Sequence, residues 1–115
     1  MIEHNNNHIA LTRPAPLKDS QIEQATHILK ALANHQRLRI LCTLLHDELS
    51  VTELNTRIRL SQSALSQHLA ILRHKGLVKT RRHSQTIFYA MSPGVAQRII
   101  ATLHDIYCKS PSKQV

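Results

Sequence analysis

Two features of this sequence carry residues able to do chemistry: a pair of cysteines, and the run SQSALSQHLAILRHKGLVKTRR at residues 61–82. The run holds seven Lys, Arg or His side chains and no acid. Its first half offers Gln62, Ser63, Ser66 and Gln67, short amides and hydroxyls where an ordinary solvated helix favours Glu and Lys. Gln can bond the N6 and N7 edge of adenine, Ser can donate or accept at any base, and a small residue such as Ala70 permits close approach to a major groove. Arg73, Arg81, Arg82 and His83 supply the complementary chemistry, cations suited to phosphate oxygens.

The charge is concentrated in the same region. The chain of 115 residues has a net charge of +8, yet residues 54–104 contain eight Lys or Arg and no Asp or Glu, while the remainder balances. A field of that kind suits a polyanion, because each neutralised phosphate releases condensed counterions. Double-stranded nucleic acid is the leading partner and an anionic membrane surface the second. An RNA reader is disfavoured, since Phe88, Tyr89 and Tyr107 are the only aromatics available for stacking. No apolar run approaches the ~18 residues of a membrane span, and MIEHNNNH lacks the apolar core of a signal peptide, so the expected location is cytoplasmic.

Cys42 and Cys108 lie 66 positions apart, too few and too distant for a disulfide-dense scaffold or a zinc ribbon. A thiol-dependent enzyme is the alternative from another functional class. Against it stand only two glycines, no phosphate loop, no nucleophile elbow and no C-x-x-C pair, so no catalytic residue is assigned. Read alone, Cys42 is a small hydrophobe packed with Leu38, Leu41 and Leu45. Cys108 falls outside the apolar arc of its helix, and packing explains it poorly. Lys109 beside it favours thiolate, while the helix C-terminus opposes it.

Elements that could position these groups follow from the periodicity. Residues 1–18 are polar, rich in Asn and broken by Pro14 and Pro16, and read as a loose arm. Ser20 and Glu23 form a capping-box pattern ahead of Ile22, Ala25, Leu29 and Leu32, a first helix to about residue 33. Asn34 caps a second, apolar on two sides and therefore central. Ser50 and Glu53 repeat the capping box for a short third helix, and Ser61 caps a fourth that stops at Gly76. The period then changes to two in LVKTRR and TIFYAM, a hairpin turning at His83-Ser84-Gln85. Ser92 and Pro93 open a last helix with the broad apolar stripe Val95, Ile99, Ile100, Leu103, Ile106 and Tyr107. The order is α-α-α-α-β-β-α: mainly α with a small β-hairpin, one domain over 19–109 and a loose tail at 110–115.

At 100° per residue, the fourth helix divides into two arcs of about 140° and 160°. Gln62, Ser63, Ser66, Gln67, Ala70, Arg73 and His74 share the first; Ala64, Leu65, His68, Leu69, Ile71 and Leu72 share the second, where His68 reads as a hydrogen-bonded core histidine. Two short helices and a basic hairpin make a helix-turn-helix with a wing.

The same residues resemble the ArsR/SmtB family of winged-helix repressors. LKALANHQRLRILCTLL, ELSVTELNTRIRLSQSALSQHLAILRHKGLV and RRHSQTIFYAMS carry the resemblance across roughly residues 22–108. The S-x-x-S-x-H-L pattern, here Ser63, Ser66, His68 and Leu69, and the L-R-x-x-G-L-V that follows are specific to that family's reading head. The resemblance implies a homodimer built on the first and last helices, binding an inverted-repeat operator, most often as a repressor.

For the effector, the resemblance offers two branches. Metal-sensing members carry E-L-C-V-C-D-L where this chain has ELSVTEL, so both thiolates are missing. Only His104 and Asp105 stand where the last helix would hold a tetrahedral zinc set. His4 and His8 of the arm keep a metal-responsive repressor as an alternative, but no metal ligand and no cofactor is assigned. Cys42 and Cys108 resemble instead the two-cysteine, BigR-, SqrR- and HlyU-like branch, which implies that persulfide or an oxidant cross-links the pair and switches operator binding.

Overall fold

In the computed structural model the described residues are 13–108. They run α1 (Asp19–Leu32), α2 (His35–Thr43), β1 (Leu49–Ser50), α3 (Val51–Ile58), α4 (Gln62–His74), β2 (Val78–His83), β3 (Thr86–Met91) and α5 (Val95–Cys108). Four helices, a hairpin and a last helix form as expected, a mainly helical winged helix-turn-helix. The tail at 110–115, Lys109 and most of the arm, with His4 and His8, lie outside the described residues.

The helix boundaries follow local chemistry. Asn34 Oδ1 accepts the N–H groups of Gln36 and Arg37 at 3.1 and 3.0 Å. Ser50 Oγ and Glu53 close the capping box at the start of α3, and Ser61 Oγ accepts the Ala64 N–H at 3.2 Å. At the end of α4, Gly76 takes φ +74°. The Gly76 N–H reaches Arg73 O at 3.0 Å and the Leu77 N–H reaches Leu72 O at 2.9 Å. That is the Schellman pattern, and the buried pair Leu72 and Leu77 supplies its apolar contact.

Two expected helix starts are corrected. α1 begins at Asp19, not after Ser20, because the Gln21 side chain accepts the Lys18 N–H at 2.8 Å and closes the turn earlier. α5 begins at Val95 rather than at Pro93, since Gly94 at φ +142° lies outside helical space.

The core is shared by all the helices except the outer side of α1. Ile40, Leu41 and Leu44 of the α2 region, Leu54 of α3, Leu65, Leu69 and Leu72 of α4, and Ile100 of α5 are fully enclosed. Each contributes about 1.5–3 kcal/mol by leaving water. Helix α2 is the central one, as its two apolar sides require.

β2 and β3 pair from Val78 with Met91 to His83 with Thr86, so the loop is only Ser84 and Gln85, one residue shorter than the sequence suggests. Ser84 at φ 59° supplies the positive dihedral that a two-residue hairpin loop needs. β1 was not expected: its Leu49 and Ser50 pair with Tyr89 and Phe88, giving a sheet of order β1-β3-β2.

Candidate nucleic-acid interface and thiol pair

The recognition surface is built from the inside outward. Leu65, Leu69 and Leu72 fix the inner arc of α4 in the core. Gln62, Ser63, Ser66, Gln67, Ala70, Arg73 and His74 are therefore all exposed on its outer arc. Ser63 Oγ lies 3.4 Å from Ser61 Oγ. His68 is half-buried among the core residues as expected, but its Nδ1 has no hydrogen-bond partner among the described residues, so the expected bond is not made.

The turn ahead of α4 is stiff. Arg59 caps α3 in the left-handed region at φ 63°, its N–H on Asn55 O, and the Asn55 side chain accepts the Leu60 N–H at 2.8 Å. Arg39 of α2 reaches across to the Ile58 carbonyl at 3.2 Å. These bonds set the angle at which α4 leaves α3.

Between α4 and the sheet lies an open hollow of about 460 Å³ lined by Ser66, Arg73, His74 and Tyr89 among others. His74 lies on the outer arc of α4 as its period predicts, whereas Tyr89, which the sequence marks only as one of three aromatics, lines the hollow from β3. On the hairpin, Arg81, Arg82 and His83 are exposed. Arg81 is already engaged, however: its Nε and Nη2 donate to the Glu48 carboxylate at 2.8 to 3.2 Å. The guanidinium beside it holds the Glu48 carboxyl below the usual range, with Lys79 adding to the effect.

Cys42 is exposed, not enclosed with Leu38, Leu41 and Leu45 as the periodicity suggested. The reason is that Ile40, Leu41 and Leu44 take the core-facing positions of α2, which turns Cys42 outward. Cys108, at the last described turn of α5, is exposed too. Partial burial first, and then the charge of Cys108, push the Cys42 thiol up, so the two sulfurs stand within each other's field. The rings of His46 and His104 meet edge to face, centroids 5.8 Å apart. His104 lies on α5 with Cys108, whereas His46 lies in the turn after α2, the helix that carries Cys42 and packs on α5. Among the described residues no group of three metal-binding side chains forms.

Residues 34–80 match the family described as bacterial regulatory protein, arsR family. Over 100 residues, 84% of this chain and 93% of the relative, the chain is 51% identical to the transcriptional activator HlyU of Vibrio cholerae serotype O1. The chain belongs to the ArsR family. A second ArsR-type relative, the biofilm growth-associated repressor of Agrobacterium fabrum, is 39% identical over 83% of this chain and 81% of its own length. The solved structure of reduced HlyU from Vibrio cholerae N16961 superposes with a TM-score of 0.75 at 53% identity, covering 78% of this chain and 95% of that one. Like other ArsR proteins, the chain is a DNA-binding transcriptional regulator and not an enzyme. No helix among the described residues is long and apolar enough to cross a membrane.

Proposed function

We propose that the protein is a homodimeric, thiol-switched transcriptional regulator. Gln62, Ser63, Ser66 and Gln67 read operator bases, Arg73, Arg82 and His83 grip phosphates, and linkage of Cys42 to Cys108 lowers operator affinity. The observation that carries the reading is the two-faced α4, with its leucines in the core and its amides and hydroxyls exposed on an acid-free stretch. The dimer is supported by apolar side chains that one protomer leaves exposed: Ile22 and Leu29 of α1, and Val95 and Ile106 of α5. Two relatives named an activator and a repressor support the regulatory role with either sign.

The switch is supported by the Cys108 charge acting on Cys42 and by the likeness to a protein solved in a reduced form. Its chemistry balances with persulfide alone. One cysteine thiolate attacks the outer sulfur of a persulfide, RSSH, releasing RSH and leaving a protein persulfide. The second cysteine attacks the inner sulfur and expels sulfide, so that two thiols and RSSH give a disulfide, RSH and hydrogen sulfide. Each extra sulfur left in the bridge consumes one more persulfide and releases one more RSH.

Base reading is tested with Gln67→Ala on a duplex enriched from random sequence by the reduced protein. The variant should lose about 1 kcal/mol on that duplex and almost nothing on unrelated DNA, because a base-edge contact is sequence-selective. Equal losses on both duplexes would make Gln67 an ordinary surface residue.

A further inference from the structure

Arg81 was expected to be one of three cations presented by the wing, but the sheet holds it elsewhere. Glu48 stands immediately before β1, and Arg81 lies on β2, with β3 between the two strands. To reach Glu48 the Arg81 side chain crosses β3, and its guanidinium carbon sits 4.9 Å from the centroid of the Phe88 ring. Phe88 is the register partner of Ser50 on one side and of Arg81 on the other. Two guanidinium nitrogens then bind the carboxylate, at 2.8 Å for Nη2 and at 3.0 and 3.2 Å for Nε.

This fork is geometrically specific, yet its partners are 53% and 37% exposed, and exposed pairs add little to stability. Its main consequence is therefore the charge the sheet presents. Successive β2 side chains alternate between faces, so Arg81 shares its face with Lys79 and His83, while Arg82 lies on the other, outside the Glu48 contact.

We propose that Glu48 is an internal competitor for DNA phosphate: it neutralises Arg81 and lays it along the sheet, so the wing meets DNA through Arg82 and His83. Removing the Glu48 charge converts Arg81 into an additional phosphate contact. The inference rests on the wing being a DNA contact, and the variants below separate the two.

The test is binding of the full chain to a fluorescein-labelled duplex of arbitrary sequence, about 30 base pairs long to accommodate two half-sites, titrated across salt concentrations. Glu48→Gln should bind at least about threefold more tightly near 0.1 M salt, with a log–log salt slope steeper by about 0.9, one extra phosphate. Glu48→Asp, which keeps the charge, should retain the wild-type slope. Arg81→Ala should also retain it, as should the double variant Glu48→Gln/Arg81→Ala. Arg82→Ala should flatten the slope by about 0.9. A Glu48→Gln variant with unchanged slope, or an Arg81→Ala variant that loses one contact, overturns the role of Glu48. An Arg82→Ala variant with the wild-type slope overturns the wing reading and this inference with it. Thermal unfolding of each variant identifies any loss of fold, and a folded Glu48→Gln that binds more weakly than wild type also refutes the proposal.

Discussion

A Leu103→Glu variant is expected to sediment as a monomer and to lose at least about a hundredfold in affinity for an inverted-repeat duplex, while losing little on a single half-site. The expectation comes from what α5 leaves uncovered. Its inner side is used up by Ala96 and Ile100, which are buried against α2 and the rest of the core. Its outer side lines a mostly apolar groove of about 400 Å³ with Val95, Arg98, Ile99, Thr102 and Leu103, and continues into Ile106 and Tyr107, 61% and 67% exposed. Ile22 and Leu29 add the corresponding side of α1. A second copy of the chain would cover this surface, and a carboxylate at position 103 would remove an apolar contact and have to be desolvated in the groove, a cost that the neighbouring Arg98 only partly offsets. Affinity falls so far because two linked reading heads bind the second half-site at a high effective concentration, and a monomer loses that term entirely. Sedimentation velocity and parallel titrations check both halves of the prediction; a variant that remains dimeric would move the interface away from α5.

The second large effect is expected from the thiols. Persulfide should lower operator affinity by at least about tenfold, ~1.4 kcal/mol, and either Cys42→Ser or Cys108→Ser should bind as the reduced wild type does and ignore the reagent. Closing a loop of this length restricts the chain by roughly 4 kcal/mol in the entropy treatment. That term alone switches nothing, because only a difference between the bound and unbound conformers alters affinity. In the proposed switch the lever is α5: Cys108 ends the helix whose outer face carries the proposed dimer contact, so drawing its last turn toward Cys42 on α2 would change how the two reading heads are spaced.

How much of this was legible in the residues alone depended on the range of the interactions. Caps at Asn34, Ser50 and Ser61 and the stop at Gly76 act over two to five residues, and the sequence displays them directly. The two arcs of α4 were legible for the same reason, since a helix imposes its own period. Helix α1 was not, because Ile22 and Leu29 repeat at core spacing yet point outward; periodicity marks an apolar face without saying what covers it. Cys42 failed similarly, as α2 is apolar on two sides and the pattern leaves its outward positions unmarked. β1 is two residues long and its pairing partners lie 38 to 40 positions away, at Phe88 and Tyr89. Glu48 and Arg81 are separated by 33 residues, and their meeting depends on that unexpected strand.

The central claim is that linking the two thiols controls DNA binding, and one paired measurement addresses it. Wild-type protein, reduced and then treated with persulfide, is divided between intact-mass analysis under non-reducing conditions and titration against the selected operator duplex. The expected result is an intramolecular Cys42–Cys108 bridge, seen as the loss of two hydrogens with or without added sulfur, together with at least about a tenfold fall in affinity that a reductant reverses. Sulfurs that stay unlinked, or a bridge that forms while affinity holds, would contradict it.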